Sequence, residues 1–167
     1  MLTSGERKIA ASIFGDASTF RNATIALRRN SALQSHNLVL TFNERIYVRP
    51  SAGLWSEDYA AEGPPVQGMF VHQLAHVWQF KQLGRWRFLI NYLRDLARCG
   101  YNQRAMYHYA PGITLFHEAT LEAQAQMLGD LRVARLTSSR ERAEQIEASL
   151  TGTRFPTSSV LSPSRTP

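Results

Sequence analysis

The chain has 167 residues, 44 % of them hydrophobic, and a formal net charge of +6 from 19 basic and 13 acidic side chains. That length allows one domain with its own core, and no run of about eighteen apolar residues is present, which excludes a transmembrane helix at the sequence level. Cys99 is the sole cysteine, so an internal disulfide is excluded too.

The positive charge is spread, with small clusters at Arg28-Arg29 and at Arg85, Arg87, Arg94 and Arg98. It forms no block of like charges and accompanies no nucleic-acid motif. One reading is a solvated, arginine-rich surface. The other is attraction to an anionic partner: an acidic protein, a cell-wall polymer or, last in rank, nucleic acid.

In chain order, residues 1–8 lack the apolar core of a secretory signal. Thr3-Ser4-Gly5-Glu6 matches a capping box, and the helix it opens should run to Phe14 and stop at Gly15-Asp16. Residues 23–29 alternate apolar and polar positions around Ile25 and Leu27, as a strand does. Residues 37–50 predict a β-hairpin: Leu38-Val39-Leu40-Thr41, a turn at Phe42-Asn43-Glu44, then Arg45-Ile46-Tyr47-Val48. Residues 51–63 look irregular.

Pro65 suits the first position of a helix running to Leu83, because its missing N–H would be unpaired there. After Gly84, residues 85–98 predict a second helix whose broad apolar face holds Trp86, Phe88, Leu89, Tyr92, Leu93 and Leu96, with Gly100 as the stop. A tyrosine-rich loop over 101–112 follows. A long helix over 115–136 and a short charged one over 140–150 complete the pattern. A small sheet followed by helices is an α+β layout. The expected organisation is one domain over residues 1–150 and a disordered Ser/Thr/Pro-rich tail over 151–167.

The 65–83 helix carries the sharpest signal, His72-Gln73-Leu74-Ala75-His76. Histidines four residues apart on a helix share a face one turn apart, so their rings can converge on one ion. Phe70, Leu74, Val77 and Phe80 form an apolar stripe on the same helix, which buries it. Buried imidazoles need partners, so the alternatives are a metal site and two core histidines bonded to backbone or carboxylates. A catalytic zinc site takes three protein ligands and leaves a fourth position open. The third ligand should come from the segment after Pro111-Gly112, where His117, Glu118 and Glu122 are candidates. Glu122 is the first choice and Glu118 the fallback.

Four stretches also resemble a known family. They are Leu2-Thr3-Ser4-Gly5-Glu6 with Ile13-Phe14-Gly15-Asp16; Ile46-Tyr47-Val48-Arg49-Pro50; His72-Gln73-Leu74-Ala75-His76-Val77-Trp78-Gln79; and Glu122-Ala123-Gln124-Ala125-Gln126. Together they resemble the bacterial zincin-like metallopeptidases of the Vgr-related group, which are associated with type VI secretion and carry a His-Glu-x-x-His-Val-Trp-Gln signature. The resemblance implies a zincin-like fold, a small N-terminal sheet packed on a helical core. It implies zinc held by His72, His76 and Glu122, and hydrolysis of a peptide or amide bond in a protein or a peptidoglycan peptide. In that chemistry the metal lowers the pKa of a water and polarises the carbonyl. Tyr107, Tyr109 or His108 would donate to the developing oxyanion. The resemblance further implies synthesis in the bacterial cytoplasm, delivery by a secretion machine, contact with a secretion-apparatus protein, and a cognate immunity protein.

Two positions depart from the family. Gln126 stands where the family has a glutamate, and an amide there can still hold a histidine ring. Gln73 occupies the general-base position. An amide has no basic lone pair near neutral pH and cannot ferry a proton, and loss of a general base typically costs about 10²–10⁴-fold in rate. Three accounts of Gln73 are open at this point: a deliberate exchange of glutamate for glutamine, a pseudoenzyme that keeps its metal for structure or binding, or another base such as Glu118.

Overall fold

Helix α1 (Ser4–Phe14) starts as its sequence dictates. The Thr3 hydroxyl accepts from the Glu6 amide at 3.0 Å, and the Glu6 carboxylate accepts from the Thr3 amide at 2.8 Å. Gly15 ends it in the left-handed region at φ 76°, where a side chain would be strained. The computed structural model describes residues 1–28 and 39–151. Arg29, Leu38 and the predicted tail beyond Thr151 lie outside the described residues.

Three strands follow: β1 (Thr24–Leu27), β2 (Val39–Phe42) and β3 (Arg45–Val48). The hairpin β2–β3 is antiparallel, and Phe42 pairs with Arg45, so the turn is Asn43-Glu44 alone. Phe42 therefore belongs to the strand rather than to the turn. Asn43 takes a positive φ of 54°, which Asn tolerates in tight hairpin turns. β1 joins the other side of β3 in parallel, giving the order β1-β3-β2. β2 is thus an edge strand, and it packs against the next helix.

That helix, α2 (Pro64–Arg98), is two helices meeting at Gly84, whose φ of 73° and ψ of 163° break the helical path. The first limb, 64–83, carries the histidines. Its Phe70, Leu74 and Val77 are buried, as the stripe requires, and Phe80 with them. The second limb is 85–98.

The predicted helix over 115–136 begins late. Residues 116–118 form a single 3₁₀ turn, and α3 is Leu121–Leu136. The reason is local chemistry: Thr120 is extended and its hydroxyl accepts from the Ala123 amide at 3.2 Å, so it caps the helix and cannot lie inside it. Asp95 from the second limb of α2 adds to this start by accepting from the Leu121 amide at 3.0 Å. Glu118 therefore precedes the helix and shares no helical face with Glu122. Helix α4 (Arg140–Ser149) closes the described chain.

The main helix–helix packing is α2 on α3, and two glycines let them approach. A Cβ on Gly129 would lie 2.7 Å from the Gly68 carbonyl oxygen, and one on Gly68 would lie 2.6 Å from Val133. The same Gly129 position lies 3.5 Å from the His72 Cβ. The glycine crossing thus sits one turn from the histidine pair, and it sets how close α3 comes to it.

Candidate metal centre

His72 and His76 project from the first limb of α2, and Glu122 projects from the first turn of α3. The two Nε2 atoms are 3.1 Å apart, and each is 3.2 Å from the same Glu122 oxygen, Oε2. The three side chains are buried, at 6–7 % exposure. Among the described residues this is the one group of three His, Cys, Asp or Glu side chains placed to share an ion.

The donor chemistry supports an ion more directly than proximity does. Gln79, one turn past His76, donates through Nε2 to the Leu121 carbonyl at 2.9 Å and to Gln124 Oε1 at 3.0 Å. Its Oε1 is therefore the acceptor facing His76 Nδ1 at 2.8 Å, so Nδ1 carries the proton in that bond. Neutral His76 then presents a bare lone pair at Nε2, towards another imidazole nitrogen and a carboxylate oxygen. The His76 Nε2 lone pair and the Glu122 oxygen are two acceptors 3.2 Å apart, with His72 Nε2 beside both, and they need a proton or a cation between them. A tetrahedral zinc with bonds of about 2.0–2.1 Å holds its ligand atoms roughly 3.3 Å apart, close to the separations here. Two nitrogens and one oxygen leave a fourth position open, and the residues present fit a divalent cation.

The electrostatics follow from burial and contact. Burial pulls both imidazolium forms down. For His72 burial wins, and its pKa falls below the ordinary histidine value. For His76 the Glu122 charge and hydrogen bonds to Glu122 and Gln79 outweigh burial, and its pKa rises. Burial pushes the Glu122 carboxyl up, but the two imidazoles override it and hold it well below the usual carboxylate range. Of the two rings, His76 is thus the one whose charged form the surroundings favour, and it lies beside an ionised Glu122.

Gln73 is buried between the two histidines in sequence. Its Oε1 accepts from the Thr41 hydroxyl of β2 at 2.8 Å. A carboxylate oxygen would accept the same bond, so the pocket suits glutamate in this position as well as glutamine. The Tyr107 ring stacks on His72 at 5.7 Å between centroids, and burial, then the Glu122 charge, pushes its hydroxyl above the usual tyrosine range. Tyr107 therefore stays protonated, as a donor beside Glu122.

The other candidates lie elsewhere. The Tyr109 hydroxyl donates to Asp130 at 2.7 Å and walls neither cleft at the site. His108 is exposed. His117 and Glu118 form an exposed pair 3.9 Å apart. Gln126 donates to Asp130 at 2.7 Å rather than to a histidine ring; the ring-holding amide is Gln79. Sequence reasoning flagged Gln79 only as part of the Val-Trp-Gln extension. It missed Thr41, which no local pattern marks, and the Gly68–Gly129 crossing, for which lone glycines inside helical runs were an available signal.

Two clefts meet at His72, Gln73 and Tyr107. One, of about 500 Å³, is apolar, walled by Phe42, Phe80, Trp86, Phe88 and Leu89. The other, of about 420 Å³, holds Leu54, Gly68, Gln126 and Asp130. A third cavity, of about 540 Å³, lies behind Gln79 against His117 and Glu118 and does not reach the three ligands. All three ligands wall the first cleft, and His72 is the one that the second cleft shares.

No protein-family model and no curated protein matches the sequence. Among solved structures, the chain is similar to the effector domain of Pseudomonas aeruginosa VgrG2b. The TM-score is 0.61 at 20 % identity, over 88 % of this chain and 79 % of that one. At this identity the likeness establishes a shared fold. Among the described residues this chain's fold is a mixed α+β arrangement in which helices α1 to α4, with α2 broken at Gly84, accompany a small three-stranded sheet.

Proposed function

We propose that this chain is a zinc-binding domain of the zincin-like metallopeptidase type, serving as a type VI secretion-associated effector, whose hydrolytic step is strongly impaired by Gln73. The carrying observation is the convergence of His72 Nε2, His76 Nε2 and Glu122 Oε2 within 3.1–3.2 Å. The shared fold with a VgrG2b effector domain supports the secretion setting. The two clefts meeting at His72, Gln73 and Tyr107 support an extended peptide or amide substrate, from a protein or from peptidoglycan.

A zinc ion held by His72, His76 and Glu122 would polarise a substrate carbonyl and acidify a water. The chain's own groups then divide the remaining work. Gln79 holds His76 in the tautomer that leaves Nε2 bare. Tyr107 is a protonated donor beside the ligand oxygen, suited to an oxyanion. Gln73 can donate an N–H or accept at Oε1, but it cannot take a proton from water.

The second reading is a non-catalytic, zinc-binding module that engages a partner such as an immunity or secretion-apparatus protein. Gln73 itself favours it, because the amide is already satisfied by Thr41 in a formed site. Activity separates the two. The effector reading expects Gln73→Glu to raise peptidase or amidase turnover about 10²–10⁴-fold, measured on casein and on peptidoglycan peptides. A zinc-loaded Gln73→Glu protein that stays inert on both would favour the binding module.

A further inference from the structure

The second limb of α2 is built the wrong way round for a helix on a water-facing surface. Its inner side is the ordinary one: Phe88 stacks on Phe80 at 3.8 Å, and Asp95 accepts from the Leu121 amide. Its outermost line should be charged. Instead it holds Trp86, Leu89, Ile90 and Leu93, at 73 %, 45 %, 62 % and 54 % exposure. Spacings of three, four and seven residues place them on one helical face. Across the cleft mouth Phe42, 41 % exposed, extends the strip.

The charges lie beside that strip rather than on it. Arg87, Arg94 and Arg98, spaced by seven and four, occupy the flank next to Ile90, and Arg85 lies on the other side near Phe42. None of the four has a carboxylate partner among the described residues. An apolar ridge with a tryptophan, bordered by unpaired arginines, matches a helix lying in the headgroup layer of an anionic bilayer. The ridge enters the acyl boundary and the arginines reach lipid phosphates. The flanking charges are all positive and lack carboxylate partners, and the Trp86 indole pairs an apolar ring with one N–H donor, which suits the headgroup layer of an anionic bilayer.

We propose that residues 85–98 form a membrane-surface docking helix for anionic lipid, with Trp86, Leu89, Ile90 and Leu93 inserted and Arg87, Arg94 and Arg98 on the headgroups. Trp86 and Leu89 also wall the apolar cleft, so docking brings the cleft mouth to the lipid interface. The proposal does not depend on the metal reading, and its test needs no metal.

The test is co-sedimentation of the purified chain with vesicles of phosphatidylcholine, alone and with about a third phosphatidylglycerol. Partitioning onto the anionic vesicles should exceed that onto the neutral ones by at least about tenfold, and should fall as salt rises. The double variant Ile90→Asp, Leu93→Asp should lower it at least about tenfold, and Arg87→Gln about fivefold. These positions are exposed, and an unchanged circular dichroism spectrum confirms that each variant is folded. No pelleting with anionic vesicles, or pelleting that the double variant leaves unchanged, overturns the proposal. So does a dimer that the double variant dissolves, or a protein partner that needs this face, when vesicle binding is absent.

Discussion

The two limbs of α2 are continuous in sequence and similarly rich in apolar residues, yet they live in different surroundings. In the first limb the sheet, α1 and α3 cover nearly every side, so even two histidines and three glutamines are buried. In the second limb only the side holding Phe88, Tyr92 and Asp95 is covered, and the apolar outer side faces solvent. The break at Gly84 separates them. Burial of polar groups in the first limb and exposure of apolar groups in the second are both costly for stability alone. Costs of this kind concentrate where a protein functions.

The comparison can be broken first at the ligands. Glu122→Ala should lower zinc affinity by at least about a hundredfold, beyond the usual effect of losing an outer-shell partner. The readout is zinc retained after dialysis against a weak chelator. Next, the limbs should differ in stability. Leu74→Ala, in the fully buried limb, should cost about 2–5 kcal/mol in denaturant unfolding, whereas Leu93→Ala should stay within about 0.5 kcal/mol. Equal costs would mean that the outer face is covered in solution.

A smaller effect is expected at Gln79. Gln79→Ala frees the His76 ring and removes two further hydrogen bonds, so zinc affinity should fall about 10–100-fold with all three ligands intact. Smallest is the pH signature. In the metal-free protein the raised pKa of His76 gives a stabilisation that is full below the ordinary histidine value and lost as pH rises through the raised one. The lowered pKa of Glu122 gives one that is full above the ordinary carboxylate value and lost as pH falls through the lowered one. Zinc requires both imidazoles neutral, so binding near neutral pH should expel up to about one proton and tighten as pH rises. Calorimetry in buffers of different ionisation enthalpy measures that proton count.

Local patterns in the sequence exposed much of this. The capping box of α1, the hairpin and the histidine helix each follow from a spacing or a cap, whereas Glu122 is one of three candidate ligands that no local spacing separates. What escaped depended on contacts distant in sequence. The parallel pairing of β1 with β3 has no local signature, because a parallel partner is chosen by the whole sheet. The late start of α3 was written in Thr120, but the apolar residues before it continued a helical period and masked the cap. Tyr107 and Tyr109 look equivalent in a loop, and only the fold sends one to His72 and the other to Asp130. The apolar residues of 85–98 were visible, but periodicity counts them without saying which side is covered.

The central claim is that His72, His76 and Glu122 hold one zinc ion, and metal analysis of the purified protein tests it most directly. The account predicts about one zinc per chain in the parent protein, and loss of that zinc in folded His72→Ala and Glu122→Ala variants. A parent protein that binds no zinc when it is supplied, or variants that keep theirs, would contradict it.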